Sequence, residues 1–574
     1  MLRKLFYFQA LQKNADMKKI LTILLLVLCF KTTQSQDVSI IPQPTKLVVS
    51  TGNFSINSKT QIVLAGSGLE KSADFMNDFL QKFYGLKLKV VSKGAFLNNI
   101  VLNYHKMEYP IPGAYNMHVN KEGIVIEGDN PTGTFYGIQS LIQLLPTIKA
   151  STLNVPFVEI EDKPRFAYRG MHLDVGRHFF STSYVKKYID FIAMHKLNTF
   201  QWHLTEDQGW RIEIKKYPKL TSVGGYRNGT IVGRFPGKSN DGIRDGGFYT
   251  QAEIKDIVKY AADRYVTIIP EIELPGHASA AIAAYPQLSC FPDSSTKHSY
   301  KTPWSGATNG KQVQQTWGVF EDVFAPTEYT FHFIQNVLDE VLELFPSKYI
   351  HIGGDECPKT AWKKSAFCQQ IIKDKNLKDE HGLQSYFIQR VEKYLNGKGR
   401  QIIGWDEILE GGLAPNAAVM SWRGEKGGIE AAKQKHEVIM TPTTYVYFDY
   451  SQTKHEDSVT IGGYLTLKMV YDYEPIPKQL SKEDEKYVIG AQANLWTEYI
   501  ANSSKLEYML FPRLTALSEV LWSSKENKNW NNFEKKLPTL FKRYDFWNWN
   551  YSKAILDPTS KIIEGQYELS TVKK

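Results

Sequence analysis

From residue 164 onward the chain repeats one pattern: a short β-prone apolar run, a polar or indole residue where the run stops, then a longer amphipathic stretch. The runs fall at 168–173, 198–202, 266–270, 348–352, 401–404, 418–421, 437–440 and 487–495, with helical periodicity between them at 183–195, 251–263, 327–345, 380–396 and 504–521. Parallel neighbours need a crossover long enough to hold a helix, so this alternation favours β/α units. Eight such strands in about 360 residues predict a (β/α)₈ barrel with loop insertions.

Residues 37–163 read differently. Strands are expected at 61–64, 100–103 and 123–127 and helices at 71–84 and 132–145, which makes a small α/β domain without a catalytic cluster. The fold class is therefore α/β: a catalytic (β/α)₈ TIM barrel preceded by a small α/β domain. A length of 574 residues suits two domains plus a leader. The division expected is a leader over 1–36, the small domain over 37–163, the barrel over 164–557 and a polar tail over 558–574, with no third domain and no repeats.

The leader has a recognisable form. Met17-Lys18-Lys19 precedes an apolar run from Ile20 to Phe30, followed by polar residues with Ser35 at a cleavage point. This is the arrangement of a signal peptide with Met17 as the working start, and the run is too short to span a bilayer. Export to the periplasm or the extracellular space is expected. Leu28 stands before Cys29 where a lipid-attachment box wants a small residue, which argues against lipid anchoring. The leader also distorts the charge. Residues 1–35 carry +5 of the formal +9, and the remaining +4 forms no basic stripe, so nucleic acid is a poor partner. Cys290, Cys357 and Cys368 match no zinc spacing and cannot build a dense disulfide framework.

Chemistry in such barrels gathers where the strands end. Here the first strand runs into Asp174, Arg177 and His178, the second into His203, Asp207 and Trp210, and the third into Glu271, Glu273 and His277. The fourth opens onto Gly353-Gly354-Asp355-Glu356, the fifth ends at Trp405-Asp406-Glu407, and the sixth at Trp422-Arg423. The seventh leads to Tyr447 and Asp449, the eighth to Trp496 and Glu498. Asp355 and Glu356 are the sharpest pair. Neighbours at a strand end point in different directions, so the two carboxyls address different atoms of one substrate. A carboxyl kept protonated by an apolar setting serves as general acid, and an ionised one beside it orients a substrate group. Two preceding glycines are expected to let the backbone approach a ligand. An Asp-Glu pair taken alone is more often a surface feature; the eight strand ends reverse that.

Trp405, Trp422 and Trp496 share the same rim, as a box for an apolar substituent or sugar face. Arg177 and Glu498 have two readings: a fork onto sugar hydroxyls, or a structural ion pair across the barrel mouth. His203 with Asp207, and Asp174 with His178, have ligand-like spacing but lie on loops rather than on one helical face, so neither metal nor cofactor is expected. Gly237-Lys238-Ser239 lacks the earlier glycine of a phosphate loop, where Val232 stands.

Taken together these residues resemble the β-N-acetylhexosaminidases of glycoside hydrolase family 20. The resemblance runs from Ile40 to Trp547. It rests on Gly133-Thr-Phe-Tyr-Gly, Arg169-Gly-Met-His-Leu-Asp-Val-Gly-Arg-His178, His203-Leu-Thr-Glu-Asp-Gln-Gly-Trp210, Pro270-Glu-Ile-Glu-Leu-Pro-Gly-His277, His351-Ile-Gly-Gly-Asp-Glu356, Gly404-Trp-Asp-Glu407, Ser421-Trp-Arg-Gly424 and Leu495-Trp-Thr-Glu498. It implies exo-cleavage of terminal β-linked N-acetylglucosamine or N-acetylgalactosamine from an oligosaccharide or glycoconjugate, with the substrate's own acetamido oxygen as nucleophile. On that reading Glu356 is acid and base, Asp355 orients the acetamido N–H, and Tyr447 hydrogen-bonds its oxygen. Trp405, Trp422 and Trp496 enclose the sugar; Arg177, Asp449 and Glu498 take its hydroxyls; Asp207 and His277 tune Glu356. Tyr445, two residues before Tyr447, keeps the tyrosine assignment open. Two rivals remain in view: a non-catalytic sugar binder, and a retaining glycosidase with Asp355 as nucleophile.

Overall fold

The computed structural model describes residues 38–94, 97–298, 302–454 and 459–556. The signal peptide expected over 17–35, Cys29 and the tail from 558 lie outside the described residues.

All eight expected barrel strands form, as Tyr168–Asp174, Thr199–His203, Thr267–Glu271, Tyr349–His351, Gln401–Trp405, Ala418–Ser421, Val438–Met440 and Val488–Ala493. Every neighbouring pair is parallel, and the last strand closes on the first through Gly490 opposite Tyr168 and Ala493 opposite Met171. Helices shield the outer side, so most strand residues are buried on both faces and the strands read as continuous apolar runs. The outer helices include Thr182–Met194, Gln251–Ala262, Glu328–Leu344 and Glu380–Gly397, each with a side-chain cap from Ser181, Thr250, Thr327 or Asp379 at its start. The helix expected over 504–521 is two helices, Ser503–Leu510 and Arg513–Trp522. Pro512 separates them, since its ring supplies no N–H to continue the ladder.

Ahead of the barrel stands a seven-stranded mixed sheet, in the order Lys46–Ile56, Leu153–Asp162, Tyr115–Val119, Gly123–Gly128, Asn99–Tyr104, Gln61–Leu64, Lys89–Val91. Helix Pro131–Leu144 is buried throughout from Gly133 onward. It lies between this sheet and the barrel, where Tyr136 meets Trp522 edge-on and accepts a hydrogen bond from Arg169. The same junction carries a buried ion pair. Lys196 Nζ is 2.9 Å from Asp162 Oδ2, which also accepts from Tyr115, while Trp522 donates to Asp162 Oδ1. No helix among the described residues is long and apolar enough to cross a membrane.

Candidate active site

The C-terminal strand ends surround a cavity of about 410 Å³ lined by Arg177, Arg234, His277, Asp355, Glu356, Trp405, Trp422, Tyr447, Asp449, Trp496 and Glu498, among others. Ten of the eleven residues singled out from sequence face it. The eleventh, Asp207, is buried behind His277. A larger cavity of about 690 Å³ opens at the opposite end of the barrel around Tyr168, Ile269 and Tyr349, and no cluster of carboxylates converges there.

Glu356 opens into the cavity with its side chain 40% exposed, while Asp355 beside it is only 12% exposed. The walls desolvate the Glu356 carboxyl and raise its pKa; the Asp355 charge adds to this, and His277 and Arg177 oppose it. His277 faces both carboxyls, with Nε2 3.6 Å from Asp355 Oδ2 and 3.7 Å from Glu356 Oε2. Glu356 and His277 both hold left-handed backbone, at φ 41° and 48°, a conformation side chains other than glycine rarely adopt.

Behind the imidazole the site is ordered by a carboxylate that the sequence reading placed in a motif but assigned no role. Glu206 Oε1 lies 2.7 Å from His277 Nδ1, and its Oε2 lies 3.0 Å from Arg177 Nη2 and 3.1 Å from His203 Nε2. Asp207 Oδ2 shares the same His277 nitrogen at 3.0 Å and is fixed on its other oxygen by the Ser279 N–H. Burial opposes a charged His277, yet the charge of Glu206 and the hydrogen bonds that the ring donates to Asp207, Asp355 and Glu206 raise its pKa well above the ordinary histidine range. Glu206 is held well below the carboxylate range against its own burial by Arg177 and His277. The signal that could have revealed Glu206 is its place beside Asp207 at the second strand end.

The aromatic residues form two contacting pairs. Trp405 lies 5.9 Å from Trp496, and Trp422 stacks on Tyr447 at 6.3 Å with a 24° tilt. Trp405 is 1% exposed and donates its indole N–H to Glu271; Trp422 donates to Glu407, whose pKa is pushed up to about 8 by burial and the nearby Asp355. Tyr445 is turned elsewhere, stacked on Tyr473, whereas Tyr447 lines the cavity, with Tyr450 beside it. Asp449 is buried and Glu498 half-buried, and both oxygens of Asp449 and one of Glu498 lack a partner among the described residues. Burial raises both pKa values, with Glu498 adding to that of Asp449. Such acceptors need donors, the kind of partner that a hydroxyl-bearing ligand offers.

Several expectations change in detail. Arg177 pairs with Glu206 and Asp174 rather than bridging to Glu498. Gly353 and Gly354 hold φ of 66° and 94°, and a Cβ on Gly353 would overlap the Glu273 carboxyl, so backbone shape and packing already require glycine there. His203 points its two nitrogens at Glu271 and Glu206, not jointly with Asp207 at one point, and His178 binds the Thr497 carbonyl. Ligand-type atoms do converge in His172–His203–Glu271, Glu206–Asp207–His277 and His277–Asp355–Glu356. In the first two groups Glu271 and Glu206 already accept from several donors on both oxygens.

The sequence profile for glycosyl hydrolase family 20, catalytic domain, matches residues 166–525. The chain belongs to glycoside hydrolase family 20. The profile for domain 2 of the same family matches residues 37–163. This family 20 chain is 45% identical over 528 residues to a beta-hexosaminidase of Porphyromonas gingivalis, covering 90% of this chain and 64% of the relative's length. It is 31% identical to a beta-hexosaminidase of Akkermansia muciniphila, covering 75% of this chain and 85% of that one. The solved exo beta-N-acetylglucosaminidase of Vibrio harveyi in complex with N-acetylglucosamine superposes with a TM-score of 0.78 at 31% identity, over 90% of this chain and 78% of that one.

Proposed function

We propose that this family 20 member is an exo-acting β-N-acetylhexosaminidase, releasing terminal non-reducing β-linked N-acetylglucosamine or N-acetylgalactosamine from glycans with retention of configuration. The observation that carries the reading is the meeting of Asp355 and Glu356 in one cavity with Trp405, Trp422, Trp496 and Tyr447. An acetamido methyl fits an indole box, and its amide fits a neighbouring carboxylate and phenol. Glu356, the carboxyl with raised pKa, donates its proton to the leaving oxygen as the acetamido oxygen attacks C1. The ionised Glu356 then takes a proton from water, which opens the oxazolinium-like ring at C1. Asp355 holds the acetamido N–H and balances its growing positive charge, and Tyr447 positions the carbonyl. An internal nucleophile held in this way has a high effective concentration. Arg177, Asp449 and Glu498 take the ring hydroxyls, and the unpartnered oxygens of Asp449 and Glu498 and Nη1 of Arg177 support that role. Asp207 and Glu206 set His277, and His277 sets Glu356.

Purified protein assayed on aryl β-N-acetylglucosaminide, aryl β-N-acetylgalactosaminide and aryl β-glucoside tests the reading. Turnover of an acetamido sugar with little or none of the glucoside supports it. Binding of the acetamido sugars without turnover makes the protein a sugar binder instead.

We also infer export to the periplasm or beyond, on the basic, apolar and polar succession of residues 17–35, without a lipid at Cys29. N-terminal sequencing of protein from the exported fraction tests this. A mature start near residue 36 supports it, and a start at Met1 or Met17 contradicts it.

A further inference from the structure

Cys290, Cys357 and Cys368 fall far apart in sequence yet pack into one small apolar cluster with Val323, Trp362 and Leu383. The cluster lies directly behind the turn carrying Glu356, since Cys357 is the next residue. Cys290 Sγ and Cys368 Sγ stand 3.7 Å apart. Cys290 is half-buried at the start of the long segment that follows Leu288, and Cys368 is fully buried on helix Ala366–Asp374. A disulfide needs its sulfurs at about 2.05 Å, so closure requires a movement of well under 2 Å from the observed contact.

We propose that Cys290 and Cys368 form a disulfide in the mature protein, with Cys357 left as a thiol. The chemistry balances with an external disulfide as oxidant. Cys290, the more exposed thiol, attacks it as thiolate and releases one thiol. Cys368 then loses its proton and attacks the Cys290 sulfur of the mixed disulfide, releasing the second thiol. Two protein thiols lose two electrons, and one external disulfide becomes two thiols.

The cross-link has a structural consequence for the catalytic end. The segment starting at Cys290 is closed at its base by a bridge between Ser289 and Phe324. Within it, the Gln314 N–H donates to the Asp207 carbonyl, and the Thr316 carbonyl accepts from Gln208. The disulfide ties the start of this segment to Ala366–Asp374, the second helix after the Glu356 turn. It closes a long loop, and so restrains the unfolded chain strongly.

The test is peptide mapping of the enzyme from residue 36 onward, which holds three cysteines, exported into an oxidising compartment or incubated with glutathione disulfide, alkylated before digestion and kept unreduced. A linked Cys290–Cys368 peptide with only Cys357 alkylated is expected. Alkylation of all three cysteines, or a link through Cys357, overturns the proposal. Melting gives an independent readout that needs no linked peptide. Reductant is expected to lower the Tm of the oxidised wild type by about 2–4 °C. Cys290→Ser should start at that lower value and not respond to reductant. A wild-type Tm indifferent to reductant also overturns the proposal.

Discussion

Glu206 holds His277 by a contact of 2.7 Å between its Oε1 and the imidazole Nδ1, on the side of the ring away from Asp355 and Glu356. Its other oxygen holds Arg177 at 3.0 Å. One buried carboxylate thus fixes both the guanidinium that lines the cavity and the imidazolium that faces Asp355 and Glu356. Replacing it acts on two parts of the site together.

Glu206→Gln removes the charge that keeps His277 protonated. The positive charge of His277 lowers the Glu356 pKa, so its loss moves that pKa up and carries the alkaline limb of kcat/KM to higher pH. A fall in kcat/KM of about 10–100-fold is expected, with partial recovery in Glu206→Asp. A pH–rate profile distinguishes this from simple loss of folded protein, which lowers the curve without shifting its limb.

The tryptophans should separate by burial. Trp405 is 1% exposed and donates to Glu271, so Trp405→Ala leaves a cavity and removes a donor from a buried carboxylate; a loss of about 3–5 kcal/mol is expected in denaturant unfolding. Trp422 is half-buried on the rim. Trp422→Ala should unfold nearly as the wild type does while kcat/KM drops, and Glu407→Gln, which keeps an acceptor for the indole N–H, should lose much less activity.

The junction between sheet and barrel depends on Lys196 and Asp162, a pair with side chains 0% and 1% exposed. Lys196→Met leaves Asp162 charged, buried and without its counterion, which is expected to cost about 3–5 kcal/mol. Adding Asp162→Asn should return part of that loss. Chemical denaturation of the single and double variants measures it.

The barrel was legible because each strand is a short apolar run that stops at a polar or indole residue, as 418–421 does before Trp422. The antiparallel pair Lys46–Ile56 and Leu153–Asp162 was not. Most of the first strand is exposed or half-exposed, so it has no clear apolar alternation, and its partner lies about a hundred residues away. The cavity-facing residues were legible because strand ends in a barrel converge. Glu206 was not assigned because its role exists only where Arg177, His203 and His277 arrive from three different strand ends. Likewise, the meeting of Cys290 with Cys368 is a product of the fold and leaves no spacing signal.

The central claim is that the substrate's acetamido oxygen, and not Asp355, attacks the anomeric carbon. It is tested most directly by kcat/KM on aryl β-glucosaminides whose N-acetyl group carries none, one, two or three fluorines. Fluorine withdraws electron density from the attacking oxygen while barely changing its position. The rate is expected to fall steeply with each fluorine, and no sugar should be found bonded to the enzyme. A rate indifferent to fluorine, together with a sugar ester on Asp355 detected by mass spectrometry, would contradict the claim.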